Sequence, residues 1–206
     1  MTTHGWRWWG RRAANELVHR GWYQLRNFGA IAPGTRAAER FGSFGAGSII
    51  AFPPASLYGE AHIHIGAATM VAPWATLAAG YSPDQPDVPE RALVLGDRCV
   101  VGIRTGLVAH ESIVVGDDVW FGQDVFVTDS NHGFDELDVP IGLQVGKHEP
   151  VSIGAGSWIG HGAVILPGAV IGRGVVVAAG SVVRGGEVPD HCVVAGVPAK
   201  VVRRLV

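Results

Sequence analysis

Cysteine, methionine and tyrosine are scarce in this chain, at two, two and three of 206 residues, and charged residues make up only 17%. Two cysteines, Cys99 and Cys192, cannot build a disulfide framework. Cys99 falls at a short apolar place in the repeat described below and is expected to be buried and structural. A reducing, cytoplasmic setting follows as the default. The net charge of −2 gives no electrostatic case for a nucleic-acid partner. No apolar run is long enough for a signal peptide or a transmembrane segment, so the expectation is a soluble chain that does not span a bilayer.

What the chain does have is glycine, 30 residues of it, and a beat. Isoleucine or valine recurs every sixth residue at Ile153, Ile159, Ile165, Ile171, Val177 and Val183. Glycine follows three places later, from Gly156 to Gly186, and the next place is short in Ser157, Ala163, Ala169, Val175 and Ser181, with Glu187 breaking the rule. Such a period fits neither an amphipathic helix nor plain strand alternation. It fits a three-sided prism in which each hexad supplies a short strand with one branched residue pointing inward. A corner at positive φ follows, which glycine adopts without strain. Residues one full coil apart then stack at roughly 4.8 Å, so neighbouring coils bury one continuous apolar column.

The same beat is present earlier in the chain, less cleanly. Hexads begin at Ile65, Val71 and Leu77, break for a proline-rich excursion at 80–92, and resume at Leu95, Val101 and Leu107. After a two-residue skip they continue at Val115, Phe121 and Val127. Asp118 and Asp124 stand where glycine stands later, consistent with aspartate's tolerance of the left-handed region. Between Val127 and Ile153 the beat stops, and an interruption of that length within a regular repeat is the place to expect function. Three segments result: a helical cap and linker over 1–45, the coil over 46–188 with loops at 80–92 and 131–150, and a short tail over 189–206. The helix is expected from about Trp6 to Asn27, with Trp9, Ala13, Leu17 and Tyr23 near helical spacing and Arg7, Arg11 and Arg12 crowding its first turns. A terminal cap or an oligomer contact is its expected role, in preference to a membrane surface.

The hexads, the segment IVVGDDVWFG (113–122), the loop opening TDSNHGFDELDVPIGLQ (128–144) and the ending VVAGVPAKVVRR (193–204) together resemble the hexapeptide-repeat acyltransferases. The likeness is greatest to the O-acetyltransferases of sugars and bacterial polysaccharides. It implies an all-β solenoid, a left-handed parallel β-helix, assembled as a homotrimer with acetyl-CoA bound between subunits and no metal required. It also implies transfer of an acetyl group to a hydroxyl of a small-molecule or glycan acceptor.

His132, in Asp129-Ser130-Asn131-His132-Gly133, matches the family's catalytic histidine. A histidine titrates near neutrality and can take the proton of an attacking hydroxyl and return it to the leaving group. Asp129 is a candidate to orient it, with a local turn contact the equal alternative. His110, Asn131 and Trp158 are candidates for the acceptor site. Counting hexads places Trp120 and Trp158 as stacked neighbours, with His132 at a different edge, so a shared site is simplest across two subunits. For acetyl-CoA the resemblance implies Trp158, a backbone donor at His161, Ala179, and the cations Arg184, Lys200 and Arg203. The chain departs from the family at Arg184-Gly185-Gly186-Glu187. The alternatives are a zinc site of the γ-carbonic-anhydrase type through His110, His132 and His161 or His148, a non-sugar acceptor, and a scaffold without chemistry. The close histidine pair of those zinc enzymes is absent from the sequence.

Overall fold

The computed structural model describes residues 4–82 and 85–205, with side chains from Gly10 onward. A 26-residue helix, His4–Gly29, leads into a stack of short strands. No helix among the described residues is long and apolar enough to cross a membrane. From Ser43 on, successive strands are dealt in turn to three sheets of seven, eight and six strands. With one exception at the C-terminus, every neighbour within a sheet is a parallel partner about one coil away. The first sheet pairs Val115 with Ile153, the second Phe121 with Ile159, the third Val127 with Ile165. All of these hexad residues are buried, and they belong to a single apolar cluster running the length of the stack. Period six thus becomes a coil because each inward residue meets the one above it rather than a helix neighbour.

Three edges join the sheets, and they differ. At the first, Gly156 has φ +71, with Asp118 at φ +58 in the preceding coil. At the second, Gly162 has φ +65 and Asp124 has φ +59. The third edge, where the chain leaves the third sheet for the first, holds the longest connections. The excursion at 80–92 follows strand Thr76–Ala79, the skip at 110–112 follows Gly106–Ala109, and the long loop follows Phe126–Thr128. Glu187 can break the small-residue rule because it lies in strand Gly186–Val188, facing solvent.

Both ends of the stack differ from expectation. Ser43–Phe44 already pairs with Ile63–Ile65, so the coil starts ahead of position 46. The segment expected as a tail is a hairpin. Cys192–Gly196 extends the second sheet beside Val176–Val177, and Ala199–Arg204 folds back on it antiparallel. At the other end, buried Ile31, Ala38 and Phe41 close the column, with Ile31 exchanging two backbone hydrogen bonds with Ile50. The N-terminal helix does not serve as that cap, since every residue from Gly10 to Phe28 is exposed. Trp9, expected on the helix's apolar side, lies outside the described side chains, and Tyr23 falls among polar neighbours.

Candidate active site

The long loop is tied at both limbs before it offers any side chain to solvent. Its first anchor is Asp129, fully buried. Oδ1 accepts the backbone N–H of His110 at 2.8 Å, and Oδ2 accepts those of Glu111 at 2.8 Å and Ser112 at 2.7 Å. His110 Nδ1 also donates to Oδ1 at 3.3 Å. Burial pushes this carboxyl up, but the hydrogen bonds from the His110 ring and from the three backbone donors outweigh it and hold the group below the ordinary carboxylate range. The limbs are joined by Glu149 N–H donating to Asp129 O at 2.8 Å and Gly133 N–H donating to Gln144 O at 3.3 Å. Gln144 is buried. Its amide donates to the carbonyls of Glu136 and Val139 and accepts from Glu136 N–H, so one side chain closes the tip of the loop. A side chain at Gly146 would overlap the Asn131 carbonyl, which is why the returning limb can lie against the outgoing one only with glycine there.

His132 is exposed on this frame, and among the described residues no hydrogen bond or ion pair holds its ring. It lines a cavity of about 330 Å³ with Asn131, Phe134, Lys147, Glu149 and Pro167. Asp129 does not orient it. The carboxylate faces His110 and the 110–112 turn, so the local-turn alternative describes it and the orienting expectation is corrected. A buried acceptor surrounded by backbone donors has no free direction left toward a ring beyond the loop's crossing point.

His110 sits instead in a cluster beside the loop. Tyr81 packs on it with ring centroids 4.0 Å apart, and His148 lies parallel at 5.4 Å. The Tyr81 hydroxyl reaches both Ser130 Oγ and His148 Nε2 at 3.3 Å, while His148 Nδ1 is buried without a partner among the described residues. Tyr81 and His148 thereby join the excursion, the skip and the loop. His110, Asp129 and His148 bring candidate ligand atoms within 4.8 Å of one another. The histidine trio considered from sequence is not gathered within this chain. Sequence reasoning did not single out Tyr81 or Gln144, and nothing in the repeat marks them.

The residues expected on the donor side fall into three places. Trp120 and Trp158 pair in register on the outer face of the second sheet, and the same row continues through Val176 and Val193 to Arg203. The two tryptophans border a cavity of about 500 Å³. Lys200 pairs with Ala195 in the same hairpin. Arg184 follows the last strand of the third sheet and so lies on the loop's edge, apart from that row. His161 and Ala179 occupy the second edge on successive coils, and both are exposed. At the first edge, the corner N–H groups of Ala67, Asp97 and Arg173 are met by aspartates of the next coil, Asp97, Asp117 and Asp190, while those of Asp117 and Ala155 have no acceptor among the described residues. At the second edge, the N–H groups of His161 and Ala179 have no acceptor among the described residues. The His161 ring lies 3.7 Å from Asp124, well outside hydrogen-bond reach.

Comparison with known proteins agrees with this architecture. Residues 150–185 match the model described as "Bacterial transferase hexapeptide (six repeats)" and residues 93–128 that described as "Hexapeptide repeat of succinyl-transferase". The chain therefore carries the hexapeptide repeat of these transferases on both sides of the loop. A protein of Mycobacterium tuberculosis named "Probable acetyltransferase Rv3034c" is 37% identical over 114 residues, covering 55% of this chain and 38% of the relative. A protein of Escherichia coli named "Putative lipopolysaccharide biosynthesis O-acetyl transferase WbbJ" is 37% identical over 119 residues, 54% of this chain and 60% of the relative. The matches thus span less than two thirds of either relative. Among solved structures, AntD of Bacillus cereus, an N-acyltransferase in complex with dTDP and 3-hydroxybutyryl-CoA, superposes with a TM-score of 0.69 at 22% identity, covering 82% of this chain and 86% of that one. PerB of Caulobacter crescentus, in complex with CoA and GDP-perosamine, gives 0.51 at 21% identity over 74% and 56% of the two chains. At that identity the structural likeness speaks for the fold.

Proposed function

We propose that this protein is an acetyl-CoA-dependent O-acetyltransferase whose acceptor is a hydroxyl of a sugar or glycan, with His132 as general base. The observation that carries the reading is the loop at 129–150: firmly anchored, it presents an exposed, unpartnered histidine in a cavity beside a continuous coil. Rigid support with a free ring is what a general base needs. His132 takes the proton from the acceptor hydroxyl as that oxygen attacks, and returns it to the departing thiolate, so the protein ends the cycle in its starting protonation state. Acetyl-CoA, when bound, supplies the activated acyl group as a thioester. The N–H groups of His161 and Ala179 suit such a donor, because backbone donors left unpaired along one edge can receive a carbonyl or amide oxygen. Trp158 offers an apolar face and Arg203 a cation in the same row. Asn131 and His110 stand on the acceptor side. The relatives named for acetyl transfer, and structural neighbours solved with CoA and nucleotide sugars, support this reaction class.

The coil is taken as left-handed and the assembly as a homotrimer. Loop and tryptophan row lie on different parts of one chain, and a complete site forms if the second-sheet face of one copy meets the loop edge of another. Exposed Ile49, Met70, Trp120 and Trp158 along that sheet supply apolar area for such a contact. The test is thiol release from acetyl-CoA across a panel of mono- and oligosaccharides, amino acids and amines. His132→Ala should keep its melting temperature and lose transfer by at least ~10². Near wild-type turnover in that variant removes His132 from the role, and release with amines alone removes the O-acetyl assignment.

A further inference from the structure

The N-terminal helix has an amphipathic face that nothing among the described residues covers. From Ala14 on, Ala14, Leu17, Val18, Gly21, Trp22, Leu25 and Phe28 fall on one side of the helix at the three- and four-residue spacing of a single stripe. Leu17 is 73% exposed, Val18 67%, Leu25 50% and Phe28 83%. The opposite side carries Arg12, Glu16, His19, Arg20 and Arg26, with Arg20 bonded to Glu16 at 2.7 Å; Asn15 and Gln24 border the stripe, and Arg11 falls in line with Ala14 and Val18 at its N-terminal end. Between Gly10 and Gly29 four arginines stand against one glutamate, in a chain whose total is −2. A strip of this size left open in water is unfavourable.

We infer that this helix lies on an anionic phospholipid surface, with the apolar stripe in the acyl boundary and the arginines at the phosphate level. Two features favour a bilayer over a second copy of the helix. The first is charge: positive helices side by side repel, whereas an anionic surface attracts each of them. The second is the shape of the stripe. Its central line, on the spacing a coiled coil would use, runs Ala14, Val18, Gly21, Leu25, Phe28, and two of these have too little side chain to act as knobs. The bulk sits on the shoulders, at Leu17 and Trp22, which makes a broad face suited to a flat apolar boundary. This inference is independent of the acetyl-transfer reading.

The test is flotation of the full chain with vesicles of phosphatidylcholine alone and of phosphatidylcholine mixed with phosphatidylglycerol. Binding to the anionic vesicles should be at least tenfold tighter, and should weaken as salt is raised. Leu17→Ala with Leu25→Ala preserves helix propensity and should lower vesicle binding at least tenfold. Arg20→Gln with Arg26→Gln should do the same for the anionic vesicles only. The melting temperature and thiol release with a soluble acceptor should not change in either variant, since these side chains are exposed. Absence of wild-type flotation overturns the inference, as does undiminished binding of the leucine variant. A fall in assembly mass by light scattering in the leucine variant, without wild-type flotation, would assign the face to a second copy and overturn it as well.

Discussion

The corners below the loop and those above it meet the same backbone demand with different residues. Below, Ala68, Arg98, Arg104, Asp118 and Asp124 all adopt φ between +53 and +59. Above, from Gly156 to Gly180, that place is always glycine. Left-handed backbone costs a non-glycine residue roughly 1–2 kcal/mol, so the lower coils carry strain that the upper coils avoid. In return their corner side chains tie coil to coil: Arg98 grips Asp118 through two bonds of 2.7 and 2.8 Å, and Arg104 grips Asp124 through bonds of 2.6 and 2.7 Å. These pairs are exposed and screened, and contribute little to stability. The difference teaches that regularity and adornment are separable. The lower half uses corner side chains as ties, and the upper half, with glycine at that place, does without them.

The largest effect that would sharpen this contrast is at Asp129. Asp129→Ala leaves three backbone N–H groups without their acceptor and should cost about 3 kcal/mol in urea unfolding, at roughly 1 or more per donor. Limited proteolysis should then cut the loop at 129–150 first. A cost below about 1 kcal/mol would mean that the anchor is dispensable. Because the folded carboxyl is held below the ordinary range, its contribution is fully present above the unfolded value of about 3.9. It is lost as pH falls through the folded value. The gap between wild type and Asp129→Asn should therefore narrow below about pH 4.

Next in size is Gly160→Ala. Its Cβ would sit 2.6 Å from Ala179 N and 2.7 Å from Val177 O, so coils must separate, at about 1–3 kcal/mol. The smallest is a reciprocal exchange of corner residues. Gly156 has open space around a would-be Cβ, so Gly156→Ala reports the left-handed cost alone, about 1 kcal/mol. Ala68→Gly, at φ +53, should leave the melting temperature unchanged or raise it. A clear fall in that variant would show that the two kinds of corner are not equivalent.

Much of the wall was legible in the sequence because each coil contacts only its neighbours. Ile153 predicts the environment of Ile171 by counting, and Trp120 that of Trp158, with no long-range knowledge. The same counting fails at the third edge. Tyr81 and His148 meet across 67 residues through two connections of unrelated length, and no period relates them. Asp129 was legible as important and illegible in direction: whether its carboxylate turns to His132 or to the 110–112 turn depends on where three backbone N–H groups point. The closing hairpin was hidden for a different reason, since Cys192–Gly196 and Ala199–Arg204 alternate without the hexad.

The longest connections leave the prism at one edge, after Ser56–Tyr58, Thr76–Ala79, Gly106–Ala109 and Phe126–Thr128. Closing a longer loop adds only about 0.6 kcal/mol per doubling, and the strands on either side keep their partners whatever length is inserted between them. That edge is therefore a port for evolutionary and engineered change. Segments there can be exchanged, shortened or grafted from another protein to alter what the molecule accepts, while the other two edges hold the count to within the single extra residue between Ile49–Ile50 and Ser56–Tyr58.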